Sequence, residues 1–268
     1  MKKIISYFLI LSTVLIACNS NPITGRKQLS LIPESQLQQM AVSEYQTFLS
    51  QNKVVSSSSS RDAEMVKRVG SRIANAITQY YTKKGNGDLL AGYNWEFNLI
   101  DSKDVNAWCM PGGKVVVYTG LLPVTQNEAA LAVVLGHEIT HAIAGHGNER
   151  MSQGMLAQGL GAVGNILTSG NPKVNNIFNN TYGLGAQVGV LLPNSRKQEY
   201  EADHFGLNFA AMAGYNPREA IPFWQRMSQA GGQKPPEFLA THPSDDNRIA
   251  ELQSYMKEAL SYYKPMKK

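Results

Sequence analysis

The chain has 268 residues, of which 43% are hydrophobic and 17% charged, enough apolar material for one ordinary globular domain with some appended sequence. Its formal net charge is +5, but Lys and Arg are scattered without a dense basic run, so composition gives no footing to a nucleic-acid partner. Part of the excess lies in Lys2 and Lys3 at one end and in Lys264, Lys267 and Lys268 at the other.

Residues 1–17 run from this positive start through an apolar stretch, the layout of a lipoprotein signal peptide, too short to span a bilayer comfortably. The stretch ends in "LIAC", which resembles the bacterial lipobox and implies cleavage before Cys18 and lipid on that residue. Each buried acyl methylene contributes about 0.8 kcal/mol, so a multiply acylated Cys18 would hold the chain on a membrane without a further apolar segment. Asn19 is not the aspartate associated with inner-membrane retention, which points to the outer membrane, facing the periplasm. An acylated Cys18 leaves Cys109 without a disulfide partner.

Residues 18–60 read as a lipidated tether, a short helix and a serine-rich linker. "NSNPITGRKQL" is polar and turn-rich, and the helix over 33–51 follows from Leu37, Met40, Ala41, Tyr45, Phe48 and Leu49 at intervals of three and four. "SSSSS" at 56–60 predicts a flexible, unpacked stretch. One folded domain is expected over 61–268. It opens with a helix over 61–81, with Met65, Val69, Ile73, Ala76, Ile77 and Tyr80 on one face. "YNWEFNLID" and "KVVVYTG" read as strands, with "NAWCMPGG" as strand and turn between them. An Ala- and Leu-rich helix spans 127–146. Residues 152–189, rich in Gly and Asn, suit a mobile flap and are expected to form a lid. Further helices are predicted over 195–212, 217–229 and 245–262.

The chemistry lies in "GHEITHAIAGHG". His137 and His141, four apart on a helix, share a face and can hold one ion between their imidazoles. Glu138 stands beside the first of them, where its carboxylate reaches a water on the ion rather than the ion itself. This is the His-Glu-x-x-His pattern of zinc peptidases, and an apolar helix has no other reason to desolvate three ionisable groups. Core or capped histidines flanking a glutamate are the bland alternative. A third ligand is needed. Position 144 is Ala and position 147 is Gly, so the metzincin arrangement fails and His146 reads as a packing or capping residue near the helix end. In "KQEYEADHFGLNFA", Glu199 and Asp203 share a helix face and Glu201 points elsewhere. Glu199 can bind zinc while Asp203 accepts from the far ring nitrogen of a ligand histidine; an acidic, solvated helix start is the other reading.

"HEITH", "EYEAD" and "THPSDDNR" together resemble the M48 metallopeptidases, the family of Ste24-type, HtpX-type and Oma1-type proteases and their bacterial periplasmic lipoprotein members. The similarity extends to "NPITGRKQLSLI" and "VNAWCMPGGKVVVYTGLL" and covers most of residues 21–250. It implies a mostly helical α+β gluzincin domain with a small sheet beside the active-site helix, and one Zn2+ per chain completed by Glu199 rather than Glu201. Asn106, Ala107 and Trp108 would lie on an edge strand to which a substrate peptide adds; an ordinary strand with Trp108 in the core remains the alternative. Trp108 and Cys109 stand where family members commonly carry other hydrophobic residues. His242 would either steady the oxyanion or occupy the open metal position in a resting form, and Arg248 would pair with a nearby acidic group; surface or structural roles stay open for both. The resemblance implies an endopeptidase for misfolded or unassembled envelope proteins. A chaperone-like factor linked to outer-membrane assembly machinery, its zinc site largely latent, is the competing reading. A structural zinc protein, in which Glu138 is dispensable, is a third.

Overall fold

The computed structural model describes residues 18–21, 23–157, 171–182, 195–230, 237–242 and 247–266. The expected signal peptide at 1–17 lies outside these residues, as does much of the expected lid. Among the described residues no helix is long and apolar enough to cross a membrane.

Two short strands, β1 (Cys18–Ser20) and β2 (Lys27–Leu29), pair antiparallel at the start of the chain. Helix α1 (Glu34–Gln51) follows, then β3 (Val54–Val55) and helix α2 (Arg61–Lys83). Strands β4 (Glu96–Ile100), β5 (Ala107–Met110) and β6 (Lys114–Tyr118) complete a mixed four-stranded sheet in the order β3-β4-β6-β5. β4 and β6 run parallel, and the two outer strands are antiparallel to their neighbours. The remaining described elements are helical: a single turn at Leu122–Thr125, then α3 (Glu128–Ile143), α4 (His146–Ala157), α5 (Pro172–Thr181), α6 (Arg196–Met212), α7 (Ala220–Gln229), α8 (Glu237–Thr241) and α9 (Arg248–Tyr262). The fold is a mostly helical α+β domain with a small sheet, as the resemblance implied.

The sheet is apolar on both faces, and the period-two alternation of strand side chains divides the core accordingly. Leu99, Ala107, Cys109, Val115 and Val117 face α2, α3 and α6, while Ile100, Trp108, Met110 and Val116 face α1, α4 and α5. A sheet covered on both sides needs the near-continuous apolar runs that "KVVVY" and "AWCM" supply.

Two stretches depart from the reading as tether and linker. The segment from Asn21 to Ile32 is docked on the helices: Asn21, Gln28 and Ile32 are buried. Between α1 and α2, Val54 and Val55 join the sheet opposite Ile100 and Leu99. The serines that follow form an exposed hydrogen-bonded turn, and Ser60 caps α2 by accepting from the Ala63 amide. Polar composition concealed the first, because side-chain hydrogen bonds from Asn21 and Gln28 hold it beside the apolar contacts of Ile23 and Ile32, and the two-residue length of β3 concealed the second.

Candidate metal centre

Helix α3 is core on every side. Asn127 caps it by accepting from the Ala130 amide, and Ala130 through Ile143 are all buried. His137, Glu138 and His141 are only 2%, 3% and 6% exposed. Helix α6 begins with a capping box, Ser195 and Gln198 each bonding the other's backbone, and packs along α3. The crossing is close because glycine meets glycine: a Cβ on Gly136 would lie 2.4 Å from the Gly206 carbonyl oxygen. That approach sets Glu199 and Asp203 against the two histidines of α3.

Four donor groups converge, each with a ligand atom within 4.8 Å of every other: His137, His141, Glu199 and His242. His137 Nε2 lies 3.0 Å from His141 Nε2, and Glu199 places its oxygens 3.4 Å and 3.3 Å from those two atoms. His242, just beyond α8, sets Nδ1 3.2 Å from His137 Nε2 and 3.1 Å from Glu199 Oε1. Ligand atoms about 2.0–2.1 Å from one tetrahedral zinc stand about 3.3 Å apart, so these spacings fit a zinc ion. The charge balance agrees. Glu138, Glu199 and Asp203 are buried together against two guanidinium groups, Arg248 in contact with Glu199 and Asp203 and Arg150 acting on Glu138 and Glu199, which leaves a surplus of carboxylate that a cation would offset.

Titration behaviour reflects the same surplus. Burial lowers the His137 pKa, but Glu199 and Asp203 outweigh it and raise it to about 9. Burial would raise Glu199, yet His242 and His137 hold it well below the usual carboxylate value. His141 is pushed well down by burial, which keeps it neutral and fit to ligate. Burial raises Glu138.

The histidines are oriented from behind. His137 Nδ1 meets Asp203 Oδ1 at 2.9 Å, a contact that keeps a proton on Nδ1, so that Nε2 is the nitrogen left to a metal once a cation displaces its proton. Arg248 holds Asp203 through contacts of 2.8 Å to each carboxylate oxygen and reaches Glu199 Oε2 at 3.2 Å. The guanidinium carbon lies 3.4 Å from the Trp224 ring centroid, a cation–π contact that fixes its plane.

His141 is backed differently, by a residue that sequence reasoning placed near the end of its helix. Helix α3 stops at Ile143, Gly145 adopts φ +64°, and His146 opens a new helix instead of ending the old one. The turn sends His146 back to His141, Nδ1 to Nδ1 at 2.8 Å, and its Nε2 meets Glu201 Oε2 at 3.0 Å. Glu201 does point away from the donor cluster.

Asn106, Ala107 and Trp108 lie at the start of the outer strand β5, which packs against α3. Trp108 is buried edge-on to Tyr45 and Phe48, with its indole nitrogen 3.3 Å from the Tyr118 hydroxyl. The side chain is therefore a core residue. Any role of this strand toward a peptide falls to its backbone.

Fold and donor set define a helix-borne metal centre of the two-histidine, one-carboxylate type. The chain belongs to peptidase family M48, whose model matches residues 60–256. It is 33% identical over 186 residues to the mitochondrial metalloendopeptidase OMA1 of Saccharomyces cerevisiae, covering 66% of this chain and 52% of that protein. Against the human metalloendopeptidase OMA1 the identity is 30% over 249 residues, 90% of this chain and 46% of the relative. The beta-barrel assembly-enhancing protease of Yersinia pestis is 32% identical over 189 residues, 66% of this chain and 38% of the relative. The chain thus spans about half, or less, of the length of these curated relatives.

Proposed function

We propose that the chain is a zinc-dependent endopeptidase held in the cell envelope by lipid on Cys18, acting on misfolded or unassembled envelope proteins. One observation carries the catalytic reading. Glu138, beside the first histidine of the cluster, is buried with an Oε1 that makes no hydrogen bond among the described residues and lies 3.4 Å from His242 Nε2. A buried carboxylate with one oxygen left without a hydrogen bond is costly to maintain, and a role as proton acceptor accounts for it.

His137 Nε2, His141 Nε2 and Glu199 would hold the zinc. When bound, the ion supplies a lowered water pKa and polarises the scissile carbonyl. Glu138 takes the proton from the attacking water and passes it to the amide nitrogen as the C–N bond breaks. Its raised pKa brings the two proton transfers closer to balance near neutral pH. Asp203 keeps the His137 proton on Nδ1, and Arg248 keeps Asp203 and Glu199 in place. The edge of β5 that pairs with no strand among the described residues, at Asn106, Ala107 and Trp108, would align an extended substrate by backbone hydrogen bonds.

A second reading is supported by His242, whose Nδ1 stands at the fourth corner of the cluster. In that arrangement the base faces an imidazole instead of water, as expected of a latent site in a chaperone-like factor working with outer-membrane assembly machinery. The name of the Yersinia pestis relative, a beta-barrel assembly-enhancing protease, fits either reading. The deciding experiment is casein cleavage by the purified protein together with its zinc content. Zinc with turnover, lost in Glu138→Gln, supports the protease. Zinc without turnover supports the binder, and absence of zinc removes both.

A further inference from the structure

The donor cluster is supported from two directions, and the second involves the first described segment of the chain. Arg26 lies in the link between β1 and β2. Its Nη1 and Nη2 donate to the two oxygens of Glu149 at 2.7 Å and 2.6 Å, and its Nε donates to Glu201 Oε1 at 2.7 Å. Gln198 also donates to Glu149, at 2.7 Å. Glu201 passes the contact to His146, and His146 to His141.

The direction of each proton follows from the site. His141 Nε2 must offer a lone pair to the metal, so its proton is on Nδ1 and is donated to His146 Nδ1. His146 then carries its own proton on Nε2 and donates it to Glu201 Oε2. His137 has a carboxylate directly behind it, closed by Arg248. His141 has a histidine and then a carboxylate, closed by Arg26. Both carboxylates come from α6, two residues apart.

The same segment secures the end of α3. Asn21 and Gln28 both donate to the carbonyl of Ala144, at the C-terminus of that helix, and Asn21 also donates to Gln28 at 3.0 Å. Further along, Asn148 of α4 donates to the Ile32 carbonyl at 2.7 Å and Ser152 accepts from the Leu31 amide at 2.9 Å. The side chains of Arg26, Glu149 and Glu201 are 13%, 9% and 13% exposed and that of His146 is inaccessible, so these contacts are shielded from competing water.

We infer that Arg26, Glu201 and His146 form a brace that positions His141, making the docked segment 21–32 a structural part of the metal site. The inference rests on the zinc reading above. None of the three is a catalytic residue; they act through His141. Partners behind metal-bound histidines set ring orientation, and their loss typically weakens metal binding about 10- to 100-fold.

The test uses the full chain and Zn2+ alone, titrated against a chromogenic chelator, with the visible spectrum of the Co2+-substituted protein as a reporter of ligand geometry. Arg26→Ala, Glu201→Gln and His146→Leu are each expected to weaken zinc about tenfold or more and to reshape the cobalt bands. Arg26→Lys, which keeps the positive charge but places all its donors on one nitrogen, recovers part of the affinity. Should His146→Leu fail to fold, Arg26→Ala at the rim and the near-isosteric Glu201→Gln decide the outcome. A purely structural role would lower stability and leave the cobalt spectrum of the folded fraction unchanged. Wild-type zinc affinity and an unchanged spectrum in both Arg26→Ala and Glu201→Gln overturn the brace. Failure of the wild type itself to bind zinc would sink the metal-site reading, and the brace with it.

Discussion

Gly136 and Gly206 bring helices α3 and α6 into backbone contact: a Cβ on Gly206 would lie 2.6 Å from the His137 amide nitrogen and 2.7 Å from the Gly136 carbonyl carbon. Neither contact can be relieved by rotating a side chain. Gly206→Ala would gain about 1 kcal/mol of helix propensity, but overpacking at a backbone contact costs about 1–3 kcal/mol, so the steric term wins. The variant is expected to be less stable in urea and to bind zinc more weakly, because separating the helices withdraws Glu199 from both histidines. Unchanged stability together with unchanged zinc affinity would show that the crossing tolerates separation.

Glu138→Gln keeps the size of the side chain and removes its basicity. Loss of a positioned proton acceptor typically lowers turnover about 10²- to 10⁴-fold. Glu138 lies outside the set of atoms within ligand distance of one another, so zinc stoichiometry should be unaffected. Metal analysis beside a peptide-cleavage assay checks both halves, and undiminished cleavage would exclude Glu138 as the base.

The parts of the centre that helix periodicity governs were legible in the chain. His137 with His141, and Glu199 with Asp203, are each four apart, and that spacing alone places each pair on one face. Three of the four strands followed from β-branched and aromatic runs, while β3, only Val54 and Val55, was too short to read. Arg26 was invisible because its partners Glu149 and Glu201 are 123 and 175 residues away, and nothing local in "NPITGRKQL" announces an ion pair. His146 is the packing residue near the helix end that the sequence suggests, but its turn back to His141 was hidden for a different reason. Its position depends on one left-handed backbone residue, Gly145, at a point where the apolar pattern gives no sign that the helix has stopped.

Acid should loosen the docked segment. Burial raises the Glu149 pKa, but hydrogen bonds from Arg26 and Gln198 outweigh it, and the net shift is below the ordinary value of 4.5. A carboxylate with a depressed pKa stabilises the fold above its unfolded value, and that contribution is lost as pH falls through the folded one. Amide protection across residues 21–32, which is exchange corrected for its intrinsic pH dependence, is therefore expected to fall below about pH 4.5 and to be nearly unchanged from neutrality down to pH 5. In Arg26→Ala the acid step should shrink, because the principal favourable partner is gone. A step of equal size in that variant would assign the acid sensitivity to other groups.

His242 separates two roles whose kinetic signatures have opposite signs. If it steadied the oxyanion, His242→Ala would lower turnover about 10²- to 10³-fold, as loss of such a donor typically does. Its ring in this structure occupies a different place: Nδ1 is 3.2 Å from His137 Nε2 and 3.1 Å from Glu199 Oε1, with Nε2 turned toward Glu138. That is the fourth corner of the donor set, where substrate and water would have to enter. The ring is stacked on Phe238 at 4.5 Å between centroids, so the position is supported by packing as well as by polar contacts. Were the blocked form to hold 90–99% of the molecules, freeing the corner would raise kcat/KM about 10- to 100-fold. His242→Ala is accordingly expected to cleave a peptide substrate faster than the parent protein while binding zinc less tightly. Slower cleavage with unchanged zinc affinity would return His242 to the oxyanion.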